Sequence, residues 1–277
     1  MQQSGDRENA RLTSLALPKA GAWLTALPLD HLGTHMSSQD FGLAAKLRLG
    51  LDIFPQGLEC SVCQEAALRT PVDSITGHRP AAEILDTKGD VAMCCGKGGG
   101  WTRRHNVIRD AICELASQAK LSPTLEPPHL VDSTFQRPAD VFLPSFPLGK
   151  STCLDVGIVY PLQSGHLRHS AVESGYSVTQ MRTNKRNKYQ GALQPDTSLQ
   201  PLIFDAFGGW DQETVAFMKR LTDIWARNCD KAERVVFLQT AQRISVLLQL
   251  GNTAILKHRL PEPLYTRPGQ DEVVALD

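Results

Sequence analysis

The chain has 277 residues, 42% hydrophobic and 21% charged, with 29 basic side chains balanced by 29 acidic ones. Zero net charge excludes a strong overall field for nucleic acid, so any basic surface has to be local. No apolar run reaches bilayer length and the first ten residues are polar, which argues against a membrane span or a signal peptide.

Residues 1–57 read as a helical connecting region. Ser37, Ser38, Gln39 and Asp40 offer caps, and Phe41, Ala44, Ala45 and Leu47 follow at helical spacing. Residues 58–100 lack periodicity and carry Cys60 and Cys63 in a CxxC, then Cys94, Cys95 and a glycine run. CxxC is zinc-ligand spacing, and an odd total of seven cysteines fits a reducing compartment better than a disulfide framework. One of Cys94 and Cys95 would close the site from a second segment, with His78 as the candidate fourth group. All of these are protein ligands, so the zinc would be structural. Buried free thiols are the alternative.

From Arg103 to Lys120 the pattern is helical, with Ile108, Ile112 and Leu115 on one face. Arg103, Arg104, His105 and Asn106 enter that helix and make a candidate phosphate-binding corner. Glu114, further along, is a candidate third carboxylate. The glycine run lacks a GKS or GKT ending, so ATP binding has no support.

Glu126 to Asp132 reads as a first strand, and two further runs, 137–143 and 151–160, read as a hairpin around Pro147 to Lys150. That hairpin would bring Asp140 and Asp155 to one end of a sheet. Two carboxylates among Val, Leu, Ile and Phe repel each other unless a cation lies between them, which suits Mg²⁺ or Mn²⁺ in phosphodiester hydrolysis. Solvent-facing aspartates at strand ends are the alternative. Such sites often carry a lysine two residues after the second acid, but Gly157 stands there. Lys185 or Lys188, from a helix-compatible stretch over 171–189, would have to reach across; a solvated basic face is the other reading of that run. Leu199 to Phe207 reads as a buried strand. One helix follows through Val215, Met218, Leu221 and Trp225, then a second from Ala232 that stops at Gly251. The order predicts an α/β core with a mixed sheet, and residues 261–277 read as a disordered tail.

The ordered set of motifs resembles a known family. It comprises CxxC, Gly-Asp-x-Ala-x-x-Cys (89–95), Arg-His-Asn (104–106), Arg-Pro-x-Asp (137–140), Leu-Asp-Val (154–156), Lys-x-x-Lys-Tyr (185–189) and Phe-Gly-Gly-Trp (207–210). Over about residues 20–260 it is similar to the C-terminal part of reverse-transcriptase polyproteins from non-long-terminal-repeat retrotransposons. The resemblance implies a restriction-endonuclease-like (PD-(D/E)XK) mixed sheet over 101–260, flanked by helices and preceded by a zinc knuckle over 58–100. It implies a nuclear enzyme that nicks DNA, with the element's RNA as a further partner. Asp140 and Asp155 would be its metal-holding acids, and Lys185 or Lys188 its displaced lysine. Arg103, Arg104, His105, Asn106, Arg186 and Tyr189 would contact nucleic acid. The chain departs from that pattern at Val91, where the family's knuckle supplies histidine, and it lacks a Tyr-x-Asp-Asp polymerase signature. The expectation is an endonuclease segment without its polymerase, or an inactive nucleic-acid-binding remnant of the same element.

Overall fold

The computed structural model describes residues 2–70, 81–128, 130, 139–146, 149–189, 191–194 and 196–260. Ser37 starts a helix as its position predicts, its hydroxyl accepting from Asp40 N–H at 3.1 Å. That helix is α2 (Ser38–Leu49); α1 (Gln2–Leu15) precedes it. Short helices α3 (Ser61–Arg69) and α4 (Asp90–Cys94) then lead into the long α5 (Gly100–Gln118).

The sheet has four strands in the order β1 (Thr124–Leu125), β2 (Val141–Leu143), β3 (Ser151–Val159) and β4 (Thr197–Asp205). The first three pair antiparallel and β3 pairs with β4 in parallel. A parallel pair needs a crossover, and α6 (Leu167–Ser170) and α7 (Tyr176–Tyr189) provide it. Helices α8 (Gln212–Asn228) and α9 (Glu233–Lys257) complete the chain's described part. The protein is therefore a mixed α/β structure with a small mixed sheet flanked by helices.

Side chains alternate across the central strands. Leu154, Val156, Leu202 and Phe204 pack with Ile108, Ile112, Phe217 and Leu248 from α5, α8 and α9. Val159 and Ile203 point the other way, against Val178 and Met181 of α7. Asp155 and Gly157 share the Val159 face, since positions two apart along a strand face alike. A second cluster joins distant parts of the sequence: Ala10, Leu47, Cys60, Cys63, Met93, Tyr160, Phe207 and Leu256 pack together. Beside it, fully buried Asp205 accepts hydrogen bonds from Ser14 Oγ at 3.0 Å and Phe207 N–H at 2.7 Å. Burial pushes its carboxyl up to about 7 in spite of those bonds.

Two expected boundaries move. The first strand is Thr124–Leu125 rather than 126–132, because Glu126 takes φ of +41°, which turns the chain out of the extended region. Residues 129, 131 and 132 of that expected strand lie outside the described residues, as do 133–138, His78, Pro147 and Leu148 of the expected turn, and the expected tail 261–277. Helix α9 runs through Gly251 instead of stopping there. A Cβ on Gly251 would lie 2.5 Å from Arg104 Cγ, and one on Gly100 would lie 2.9 Å from Ile255 Cγ1. Glycine here lets α5 and α9 cross closely, which outweighs its cost of about 1 kcal/mol inside a helix. No helix among the described residues is long and apolar enough to cross a membrane.

Candidate functional site

The β2–β3 ladder places the two aspartates. Val141 faces Leu154, and Asp140 N–H donates to Leu154 O at 2.8 Å. Asp140 lies just beyond the paired residues, and its carboxyl meets that of Asp155. Each acid has a basic neighbour. His105 Nε2 lies 3.1 Å from Asp140 Oδ2, which also accepts from Val156 N–H at 2.6 Å. Lys185 Nζ donates to Asp155 Oδ1 at 2.5 Å.

Those partners set the electrostatics. Burial pushes the Asp140 carboxyl up, but the hydrogen bond and charge of His105, with Val156 N–H, outweigh it and hold it below the usual range. Asp155 is held above that range, by burial first and by the neighbouring Asp140 charge, against the opposing Lys185. His105 is raised, chiefly by its bond to Asp140. Two carboxylates with hard oxygen donors thus meet at one end of the sheet, compensated by one imidazole and one ammonium.

Lys185 owes its place to Gly157. A Cβ there would lie 2.8 Å from Lys185 Cε, 2.8 Å from Ile203 Cδ1 and 2.7 Å from Met181 Sδ. The lysine stem therefore runs through the space a side chain on β3 would fill. Val178, Met181 and Lys185 form one helical stripe of α7, the first two packing on the sheet, and this rotation decides between the two candidate lysines. Lys188 is exposed, with its ammonium 4.8 Å from the Tyr189 ring. The glycine and that stripe are signals the sequence already held for Lys185.

Several expected site residues lie elsewhere. Arg104 is only 5% exposed and donates to Asn252 Oδ1 at 2.6 Å, so it faces the α5–α9 seam rather than a phosphate. Burial lowers its guanidinium to about 10. Tyr189 is also buried, and Arg186 is engaged with Glu213 at 2.5 Å. Glu114 pairs with Arg243 of α9 at 2.6 Å. It is nine residues from His105, about 13 Å along α5 and on the opposite face. Arg103 is exposed and donates to Gly98 O at 3.0 Å; Asn106 Oδ1 lies 3.3 Å from His105 Nδ1. His105 itself turns to the acids instead of outward.

Cys60, Cys63 and Cys95 bring their sulfurs within 4.8 Å of one another, a cluster that can hold a metal such as zinc. Cys63 and Cys95 Sγ are 3.7 Å apart. Cys94 stands apart from this group: burial raises its thiol to about 11, and the Asp90 and Asp86 charges add to that. Burial also pushes Cys95 up, but the Arg259 guanidinium and Lys97 N–H outweigh it, leaving this thiol more easily ionised than Cys63 or Cys94. Arg259, which also donates to Cys95 O at 2.9 Å, has no counterpart in the sequence pattern that would have flagged it. No family model matches the chain, and no curated protein matches it.

Proposed function

We propose that the chain is a divalent-metal-dependent DNA endonuclease with a restriction-like core, related to the endonuclease region of non-long-terminal-repeat retrotransposon polyproteins. One observation carries the reading: the Asp140 and Asp155 carboxyls meet beside the β2–β3 ladder, with a lysine from the crossover helix on Asp155 and a glycine making room for it. The donor set fits the ion, because Mg²⁺ and Mn²⁺ prefer carboxylate oxygens and keep further positions for water and phosphate. An ion held by Asp140 and Asp155 would polarise a phosphate oxygen and lower the pKa of an attacking water. Lys185 supplies a positive charge where charge develops on the phosphate. His105 orients Asp140 through its Nε2, and Val156 N–H fixes the same oxygen. DNA is then the substrate, with element RNA and a nuclear location as parts of the same reading.

A second reading has one observation in its favour. His105 and Lys185 already pair both acids, as an inactive DNA-binding remnant would require. Nicking of supercoiled plasmid separates the two. With Mg²⁺ or Mn²⁺ the protein is expected to convert supercoiled to open-circular DNA, and Asp140→Ala and Asp155→Ala are each expected to stop this. Binding without cleavage under both ions would leave only the remnant.

The cysteine cluster is read as a structural zinc site, with Cys60, Cys63 and Cys95 as ligands. Its fit rests on three sulfur donors from two segments and on Arg259, whose cation offsets thiolate charge. The purified chain is expected to carry about one equivalent of zinc, and Cys63→Ser to lose it together with thermal stability. Metal analysis beside a melting curve checks this; a zinc-free wild-type chain that melts like Cys63→Ser would point to plain buried thiols.

A further inference from the structure

The first turn of α5 holds a large aromatic side chain that the proposed chemistry does not use. Trp101 is 41% exposed. Its position is nonetheless fixed: Nε1–H donates to Met93 O at 2.9 Å, and the ring lies against Gly96, where a Cβ would be 3.4 Å from Cζ3. A satisfied indole N–H and one covered face leave the rest of the ring open at low entropic cost.

Its neighbours give that open ring a context. Trp101 and His105 are one turn apart on the same helical ridge, and His105 is the residue on Asp140. Trp101 thus sits about 6 Å along the helix axis from His105, toward the N-terminal end of α5. Exposed Lys97 lies in the turn just before α5, and α5 carries no acidic residue in its first turn. An open aromatic face on a helix start free of acidic side chains is a surface that can receive a nucleic-acid base, since every base has a π-face.

We propose that Trp101 is a stacking platform for an unpaired DNA base next to the cleaved phosphate, which rests on the nuclease reading above. The base would lie on the indole while its backbone continues along the ridge toward the Asp140–Asp155 site. Cleavage would then favour DNA that is single-stranded or open beside the scissile bond.

The test is tryptophan emission without added Mg²⁺ or Mn²⁺, titrated with a single-stranded oligonucleotide and with a duplex of the same length. The single strand is expected to quench wild-type emission, and Trp101→Phe to abolish that quench while keeping most of the affinity. Trp225→Phe controls for the other partly exposed indole and should leave the quench intact; Trp23 and Trp210 are 3% and 0% exposed. Trp101→Leu should weaken single-strand binding about tenfold, within the range of one lost base–aromatic stack. Quenching that survives in Trp101→Phe, wild-type affinity in Trp101→Leu, or equal quenching by duplex overturns the platform. Should Trp101→Leu not fold, the Trp101→Phe quench still decides. A chain that quenches through Trp101 but nicks nothing would sink the nuclease reading alone; nicking without the quench would sink the platform alone.

Discussion

Lys185→Ala is expected to lower plasmid nicking by about 10²- to 10³-fold, the usual loss when one preorganised charge is removed from a developing anion. Some stability should be lost as well, because the pair is largely buried and Asp155 would keep its carboxyl without a cation. Lys188→Ala serves as the contrast. That side chain is exposed beside Tyr189, so its loss should weaken DNA binding at high salt without changing the rate at saturating DNA. Gly157→Ala attacks the same site without touching a polar atom. Its Cβ would crowd Lys185 Cε, Met181 Sδ and Ile203 Cδ1 together, and misplacing a catalytic group by about 1 Å can cost about 10²-fold. The decisive variant is Gly157→Lys combined with Lys185→Ala. It returns a lysine to the strand, on the face of Asp155, in space the native lysine has left. Partial recovery of nicking is expected; an unchanged rate in Lys185→Ala would remove the lysine from the proposed mechanism.

Arg103 and Arg104 are adjacent in sequence and opposite in expected effect. Arg104→Ala should destabilise the protein by about 3 kcal/mol, since it opens a cavity at the α5–α9 seam and orphans buried Asn252 Oδ1. Arg104→Met, which keeps the stem's volume, should cost less, because the native guanidinium is poorly compensated and its Nε has no hydrogen-bond partner. Arg103→Ala should leave the urea midpoint unchanged and reduce the salt slope of DNA binding by about 1, as one lost phosphate contact does. Urea unfolding and salt-titrated binding on all three variants check this. Full stability in Arg104→Ala with lost DNA affinity would mean that this guanidinium reaches phosphate after all.

Local signals in the sequence determined a good part of this protein. Alternation and the Asp140–Asp155 spacing predicted the hairpin, and the ladder pairs Val141 with Leu154 because a strand's period of two leaves one register that buries both. Ser37 capped its helix, since a cap depends on near neighbours alone, and the element order predicted the mixed sheet. Tertiary packing decided the rest. Which lysine meets the acids depended on α7's rotation, set by Val178 and Met181 against β3 and β4. Gly251 carries the usual mark of a helix end, yet α9 continues because Arg104 of another helix needs that space. The same crossing turned Arg104 inward, and the fold chose Cys95 over its neighbour Cys94 as the partner of Cys60 and Cys63. Each of these choices rests on contacts between residues far apart in the chain, which composition and spacing do not encode.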